Sequence, residues 1–344
     1  MRKLLIYITV MICSVFLMTS CGKDKKSEKS GMFAEKEIVT TTQTTTTIYT
    51  TKSTATKHTT TQTRITTTTT KNITESPTEP QIKLYTAAAV CALNGDTPIF
   101  ADNIHDSIAP ASMTKLMTAC IALKYMKPDD ILTVGSELGY VQPYSSMCNI
   151  LPNQKFTLYD LLTGLLLSSG NDAAYTIAVN TARIESGNDS MTDSEAIEHF
   201  CGLMNQLANE LEMTNTHFAT PDGWDHYQQL TTIHDLIKLT KYAVKIKEIQ
   251  EITATPKKNV TAKTGESFDW TNSNMLLHEE SDYYCPYAIG TKTGSTVLAG
   301  NCLISEFYVN ARNYIIIVAG CPTNESRFEA TLELFNEYCL NENN

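Results

Sequence analysis

Hydrophobic and polar positions follow two different periods along residues 84–340, which indicates that this part of the chain contains both strands and helices. Short apolar runs that suit strands lie at residues 84–93, 98–101, 287–292, 300–309 and 314–320. Segments with helical spacing lie at residues 112–126, 157–167, 172–183, 194–211, 232–244 and 325–340. Asn94-Gly95 is a turn signal between the first two strands, and Thr157 and Asp160 have the spacing of a capping box.

The order of these elements predicts the fold class. Two strands come first, then a block of helices, then three strands and a last helix. This order favours an α+β fold, in which a mostly antiparallel sheet is flanked by helices and a helical subdomain is inserted in the sequence.

The first 82 residues differ from the rest in composition. Arg2 and Lys3 precede an apolar run at residues 4–17, which is shorter than the ~20 residues of a membrane-spanning helix and is typical of a secretory signal. Ser20-Cys21-Gly22 follows directly and resembles the lipobox of bacterial lipoproteins, with Met18 where that pattern usually has Leu. The alternative is a short signal anchor in which Cys21 has no role.

A threonine-rich segment follows the signal. Twenty of the 31 residues from Thr40 to Thr70 are Thr, and such a segment buries too little apolar surface to offset the entropy of ordering. The predicted organisation is therefore a signal peptide at 1–20, a flexible tether at 21–82 and a folded domain at 83–344. We expect an extracytoplasmic protein, anchored to the outer face of the bacterial cell membrane by a lipid on Cys21.

Charge and residue spacing exclude several function classes. Residues 81–344 carry 16 Lys and Arg against 31 Asp and Glu, and this net charge of −15 argues against nucleic acid as a partner. The domain has no Cys-x-x-Cys pair, no His-Glu-x-x-His and no Gly-x-Ser-x-Gly, so common zinc, redox and Ser-His-Asp hydrolase patterns are missing.

Three short motifs carry candidate chemistry. Ser112-Met-Thr-Lys115 places a hydroxyl and an amine on one helix face, where a desolvated Lys can serve as the base that a Ser nucleophile needs. Ser169-Gly-Asn171 lies at the break between two apolar helices, where it can face a cleft. Lys292-Thr-Gly294 ends a strand-like run and is followed by Ser295, and Gly294 lets another group approach closely.

Each motif has a second copy that we assign to chance. Ser20-Cys-Gly-Lys23 falls in the signal region, and Ser186-Gly-Asn188 lies in a polar stretch that suits a surface turn. Lys263-Thr-Gly265 is followed by Glu266 and Asp269, and a Lys beside two carboxylates is poorly suited to bind a substrate carboxylate.

The order Ser-x-x-Lys, Ser-x-Asn, Lys-Thr-Gly resembles the active-site serine penicillin-recognising proteins, and most of all the low-molecular-mass penicillin-binding proteins that are D-alanyl-D-alanine carboxypeptidases. The resemblance covers about residues 83–322 and includes Asn272-Ser-Asn-Met-Leu-Leu277, Pro221-Asp-Gly-Trp-Asp225 and Ala299-Gly-Asn-Cys-Leu303. Many members carry a further C-terminal β-domain, and we expect this chain to lack it, since about 50 residues follow Lys292.

The resemblance implies a role for each motif residue. Ser112 would attack the D-Ala–D-Ala carbonyl of a peptidoglycan stem peptide, with Lys115 as general base, and β-lactams would acylate the same serine. Ser169 would pass a proton to the leaving D-Ala, and Asn171 would orient the peptide. Lys292 and Thr293 would bind the terminal carboxylate beside Gly294, and the backbone N–H groups of Ser112 and Ser295 would form the oxyanion hole. No metal or organic cofactor is implied.

Two other functions stay open at this point. A serine β-lactamase shares the three motifs but needs a Glu for fast deacylation, and Glu210 and Glu212 are the acidic residues in the expected interval, within or beside an amphipathic helix. A catalytically silent surface protein displayed on the Thr-rich stalk is the other alternative.

The last two strands also suggest a cysteine pair. A hairpin symmetric about Asn310–Asn313 would place Cys302 opposite Cys321, within the range that a disulfide tolerates. A register error of one residue would separate the pair, and both thiols could equally stay reduced.

Overall fold

The computed structural model describes residues 83–340. The Cys21 site and the predicted signal and tether lie outside the described residues. The nine described strands are β1 (Ala87–Ala92), β2 (Phe100–Asp102), β3 (Ile131–Thr133), β4 (Lys155–Thr157), β5 (Lys257–Thr261), β6 (Ser267–Thr271), β7 (Ala288–Thr296), β8 (Gly300–Val309) and β9 (Arg312–Cys321). The seven described α-helices are α1 (Lys115–Tyr125), α2 (Leu158–Leu166), α3 (Asn171–Ser186), α4 (Asp193–Glu210), α5 (Ile233–Ala243), α6 (Lys247–Thr253) and α7 (Asn324–Phe335).

The main sheet has five antiparallel strands in the order β2-β1-β9-β8-β7. Alternate residues of a strand point to opposite sides of the sheet, and here both sets include buried apolar side chains. On β9, Ile315 and Ile317 pack into the core shared with the helical block, while Ile316 and Val318 pack with Phe328 and Phe335 of α7. The predicted α+β class, with an antiparallel sheet and an inserted helical subdomain, is confirmed.

Helix α1 lies at the centre of the helical block. All residues from Lys115 to Ala122 are buried, and α1 packs against α2, α3, α4 and α5. A short 3₁₀ turn, Ala111–Thr114, leads into α1 and lies against the edge strand β7. The start of α1 is thereby held between the sheet and the helices.

The helix signals in the sequence correspond to helices in the structure. The predicted capping box forms at α2, where Thr157 Oγ1 accepts from the Asp160 backbone N–H and the Asp160 carboxylate accepts from Thr157 N. The first hairpin also forms, although residues 93–99 connect β1 to β2 rather than a two-residue turn. The small sheets β3–β4 and β5–β6 and helix α6 were not predicted.

The predicted register of the β8–β9 hairpin is wrong. The connection is a two-residue turn, Asn310-Ala311, with both residues at positive φ, so its centre lies one residue earlier than expected. Tyr308 therefore pairs with Asn313, and Cys321 pairs with Asn301 after a bulge. Cys302 packs into the core on one face of the sheet, Cys321 packs on the other, and both are free thiols.

Candidate active site

Ser112 and Lys115 lie where the 3₁₀ turn becomes α1. Because they are three residues apart, their side chains meet, and Lys115 Nζ donates to Ser112 Oγ at 2.7 Å. Nζ also donates to Asn171 Oδ1 and to the backbone carbonyl of Asp222, each at 2.7 Å. These three acceptors match the three donors of an ammonium group.

The environment of Lys115 increases the share of its neutral form. The side chain is fully buried, and this desolvation lowers its pKa from 10.5 to about 8, against the opposing effect of Asp222 and Asp172. A difference of 2.5 pH units raises the fraction of neutral amine at pH 7 about 300-fold. A neutral Lys115 can accept a proton from Ser112 Oγ.

The second motif forms the start of α3. Ser169 has a positive φ of 58° and lies in the turn between α2 and α3, and Asn171 is the first residue of α3. The next residue, Asp172, is fully buried and accepts from the backbone N–H groups of Cys148 and Ile150 at 3.0 and 3.1 Å. This carboxylate ties the 148–150 segment to α3 and so fixes the position of Asn171.

The segment 220–225 forms another wall of the site. Gly223 has a φ of 86°, and a Cβ on this residue would lie 1.9 Å from the carbonyl oxygen of Ala111, next to Ser112. Thr118 Oγ1 on α1 donates to the Pro221 carbonyl at 2.5 Å. Only glycine permits this approach, which places the Asp222 carbonyl against Lys115 Nζ.

The third motif lies on the edge strand β7, directly beside Ser112. A Cβ on Gly294 would lie 3.0 Å from Ala111 Cβ and 3.2 Å from the backbone nitrogen of Ser112. Thr293 Oγ1 lies 2.5 Å from Ser273 Oγ, a residue of the Asn272–Leu277 segment. Ser295 is exposed at the end of the same run, and its hydroxyl donates to Asn301 Oδ1 at 3.0 Å.

Positive charge accumulates around the Lys-Thr-Gly segment. Lys292 is buried, and its Nζ donates to the Thr293 carbonyl at 3.0 Å. Burial, and then the charges of Lys115 and Arg327, lower the pKa of Lys292 well below its usual value. Arg327 of α7 donates to the Gly294 carbonyl at 3.3 Å, and its Nε is buried without a hydrogen-bond partner within residues 83–340. An anion bound here would relieve the repulsion among these cations.

The structure brings the three predicted motifs to one place and leaves the described chance copies elsewhere. Direct hydrogen bonds join Ser112, Lys115 and Asn171, and β7 packs its Lys-Thr-Gly run against the Ser112 backbone. Ser186 is the exposed last residue of α3, and its hydroxyl donates to the Ala182 carbonyl. Lys263 is exposed in the turn between β5 and β6.

Two residues of the site were not predicted from the sequence. Arg327 lies on the buried face of α7 together with Phe328 and Thr331. The sequence signal that could have identified it is an arginine at a position where the helical period predicts a buried side chain. Asp222 belongs to the quoted Pro221–Asp225 segment, but only its backbone carbonyl contacts Lys115, and side-chain type gives no signal for such a contact. Residues 83–340 hold no group of three or more His, Cys, Asp or Glu side chains arranged to bind a metal ion. Within the same range, every helix is too short or too polar to cross a membrane.

Comparison with known proteins gives the family. The model of the family Peptidase S11, D-alanyl-D-alanine carboxypeptidase, matches residues 73–323. The chain is 27% identical over 233 residues to D-alanyl-D-alanine carboxypeptidase DacF of Bacillus subtilis and 30% identical over 241 residues to DacC of Escherichia coli. Each alignment covers 67% of this chain and 55% of the relative, so the chain spans about half the length of these relatives.

The solved structures agree with this match. The crystal structure of the Streptomyces K15 DD-transpeptidase superimposes with a TM-score of 0.67 at 27% identity, covering 75% of this chain and 98% of that chain. A D-alanyl-D-alanine carboxypeptidase structure from Mycobacterium tuberculosis gives a TM-score of 0.62 at 25% identity, covering 73% and 90%. From the family match, the shared fold and the three converging motifs, we conclude that this chain belongs to the D-alanyl-D-alanine carboxypeptidase family, Peptidase S11.

Proposed function

We propose that this protein is a serine-type D-alanyl-D-alanine carboxypeptidase that trims peptidoglycan stem peptides through an acyl-enzyme at Ser112 and is inhibited by β-lactams. The observation that carries the proposal is the contact of Lys115 Nζ with both Ser112 Oγ and Asn171 Oδ1 at 2.7 Å, beside the Lys292–Gly294 strand. Family membership supports the same activity.

Acylation begins with proton transfer from Ser112 Oγ to neutral Lys115. The oxygen then bonds to the carbonyl carbon of the penultimate D-Ala, and negative charge develops on the carbonyl oxygen. The backbone N–H groups of Ser112 and Ser295 are the proposed donors to that oxygen, and such a donor is worth roughly 3–4 kcal/mol in other enzymes. The approach of Gly294 to the Ser112 nitrogen supports this assignment.

The terminal carboxylate of the substrate would bind Lys292 and Thr293. Lys292 lies in a field of like charge from Lys115 and Arg327, so a bound carboxylate stabilises its ammonium form. This preference for an anion selects peptides with a free C-terminus.

Bond cleavage completes acylation. Ser169 delivers a proton to the nitrogen of the leaving D-Ala as the C–N bond breaks, and Lys115 passes the proton it took from Ser112 to Ser169. Water then attacks the ester carbon, the Ser112 Oγ–carbon bond breaks, and Ser112 Oγ regains a proton from the water as the shortened peptide leaves. Asn171 orients the peptide from the side of α3.

The alternative functions have less support. Glu210 is exposed and pairs with Lys124 on the surface at 2.9 Å, and Glu212 is also exposed, so neither offers the deacylating carboxylate that a fast β-lactamase needs. A silent surface protein does not account for a buried lysine held against the serine. The Streptomyces K15 neighbour is named a DD-transpeptidase, so transfer to an amine is a variant of the same chemistry to be tested.

The test is incubation of the purified protein with a peptide that ends in D-Ala–D-Ala, with and without an amine acceptor, followed by mass spectrometry. We expect release of one D-Ala and a shortened peptide, and none from the Ser112→Ala variant. A product that carries the acceptor in place of D-Ala would identify a transpeptidase. Activity that survives Ser112→Ala would contradict the proposal.

We also propose that Cys21 is lipidated and that the protein is anchored to the outer face of the bacterial cell membrane. The support is the sequence alone: a short apolar run, then Ser20-Cys21 and a Thr-rich segment. Cells fed a labelled fatty acid should incorporate it into the wild-type protein and not into Cys21→Ser. Equal incorporation into both would contradict the anchor.

A further inference from the structure

The carboxylate of Asp222 is a buried charge next to the base of the proposed reaction. Asp222 is 1% exposed, and its Oδ1 accepts from the Trp224 backbone N–H at 3.0 Å. Its other oxygen, Oδ2, is buried and has no hydrogen-bond partner among the described residues. A buried carboxylate oxygen without a donor is unfavourable unless a cation lies nearby.

Lys115 is the cation that fits this requirement. Its Nζ donates to the carbonyl of Asp222 itself, and the Asp222 charge is the largest electrostatic influence that raises the pKa of Lys115 against burial. The loop cannot easily withdraw, because Pro221 is bound by Thr118 of α1 and Gly223 lies against Ala111. The loop that carries Asp222 is thus fixed to α1, the helix that carries Lys115.

The second carboxylate near Lys115 behaves differently. Asp172 accepts from three backbone N–H groups, those of Cys148, Ile150 and Ala173, at 3.0–3.1 Å. These donors stabilise its charge locally, and the contacts account for its burial as a structural group. Asp222 has one such donor, so more of its charge is left to act on Lys115.

We propose that Asp222 is a positioning residue for the reaction of Ser112: its carbonyl fixes Lys115 Nζ, and its carboxylate stabilises the ammonium that Lys115 becomes when it takes the Ser112 proton. The inference rests on the proposed function. During acylation the proton leaves Ser112 Oγ, the Oγ–carbon bond forms, and positive charge develops on Nζ, which is bound to the backbone carbonyl of Asp222. A fixed anion beside a developing cation lowers the barrier without any movement of its own.

Other charged groups also surround this pair. The pKa of Lys115 is also raised by Asp172 of α3 and Cys148 before β4, and the charge of Lys115 lowers the pKa of Lys292 on β7. The charge of Asp222 raises the pKa of Tyr175 on α3 and of Cys201 on α4. The tyrosine and the thiols stay neutral in the working range because burial raises the pKa of each, and Asp172 keeps its backbone donors. Asp222 is therefore the carboxylate whose removal should change the titration of Lys115 most.

The experiment is the rate of labelling of the full-length chain by a fluorescent penicillin between pH 5.5 and 9.5. In the wild type we expect the rate to rise with pH as Lys115 loses its proton, near pH 8. Asp222→Asn should move this rise about one pH unit lower and reduce the plateau rate about tenfold. Glu306→Gln is the control, since it removes a buried carboxylate of β8 that lies outside the site and accepts from Asn313, and its rise should coincide with the wild type.

The outcomes separate the two claims. A wild type that is not labelled, or is labelled away from Ser112, overturns the proposed function. A labelled wild type with an unshifted rise in Asp222→Asn, or an equal shift in Glu306→Gln, overturns only the role of Asp222.

A second measurement keeps the inference testable if Asp222→Asn alone does not fold. In Lys115→Met the buried Asp222 carboxylate loses its cation, so adding Asp222→Asn to Lys115→Met should raise the free energy of unfolding at pH 7. A double variant that is no more stable than Lys115→Met overturns the inference.

Discussion

Gly223 offers a direct test of how the site is built. In Gly223→Ala the new Cβ would lie 1.9 Å from the Ala111 oxygen and 2.5 Å from the Ala111 carbonyl carbon. These two nearest atoms are backbone, so one of the two segments must move by roughly an ångström or more to restore van der Waals contact. Ala111 directly precedes Ser112, and the displacement is transmitted to the nucleophile.

The expected cost has two parts. An L-residue at the φ of 86° costs about 1–2 kcal/mol, and overpacking costs about 1–3 kcal/mol, so the free energy of unfolding should fall by about 2–5 kcal/mol. A misplacement of about 1 Å at reacting groups can lower a rate about 100-fold, and we expect penicillin labelling to slow by that order.

Gly187→Ala is the matched control. Gly187 also has a positive φ, 64°, at the end of α3, but a Cβ there would meet no atom within 4 Å. We expect a loss of about 1–2 kcal/mol and an unchanged labelling rate. Urea denaturation and labelling kinetics measure both quantities. If Gly223→Ala loses no more stability than Gly187→Ala and is labelled at the wild-type rate, the packing argument is refuted.

Three further predictions follow from other parts of the domain. Lys292→Ala should lower activity on D-Ala–D-Ala peptides severely, whereas Lys263→Ala, on an exposed turn, should change it little; equal losses would mean that the carboxylate site is misassigned. Burial raises the pKa of Glu306, so the folded state binds the Glu306 proton more tightly and stability falls as pH rises above about 4. Glu306→Gln should therefore stabilise the protein at pH 7 but not at pH 4. Denaturation curves of the variant and the wild type that differ equally at both pH values would contradict this. Non-reducing peptide mapping should recover Cys302 and Cys321 in separate peptides, and a cross-linked pair would contradict the β8–β9 register.

The sequence predicted those parts of the site that depend on local spacing. Ser112 and Lys115 meet because they are three residues apart on a helix, and the strand that carries Lys292 was recognisable from its apolar pattern. The distinction between Lys292 and Lys263 also came from local context, since only the latter has acidic neighbours. These features require no knowledge of the tertiary structure.

The residues of the site that the sequence did not predict depend on contacts between distant segments. The carbonyl of Asp222 reaches Lys115 across 107 positions, and any residue type presents the same carbonyl. Arg327 approaches Gly294 only because α7 packs on the sheet. The hairpin register failed for a local reason, because Asn310 and Ala311 alone form the turn and Ala gives no signal for a positive φ.

The central claim is that Ser112 is the nucleophile, that Lys115 activates it, and that the strand carrying Lys292 lies directly beside it. The most direct measurement is mass spectrometry of the intact protein and its peptides after incubation with penicillin. We predict one covalent adduct per chain, located on Ser112 and absent from Ser112→Ala, with the fold of that variant retained because only a hydroxyl is removed. An adduct that persists in Ser112→Ala, or that maps to Ser169, Ser186 or any other residue, would contradict the account.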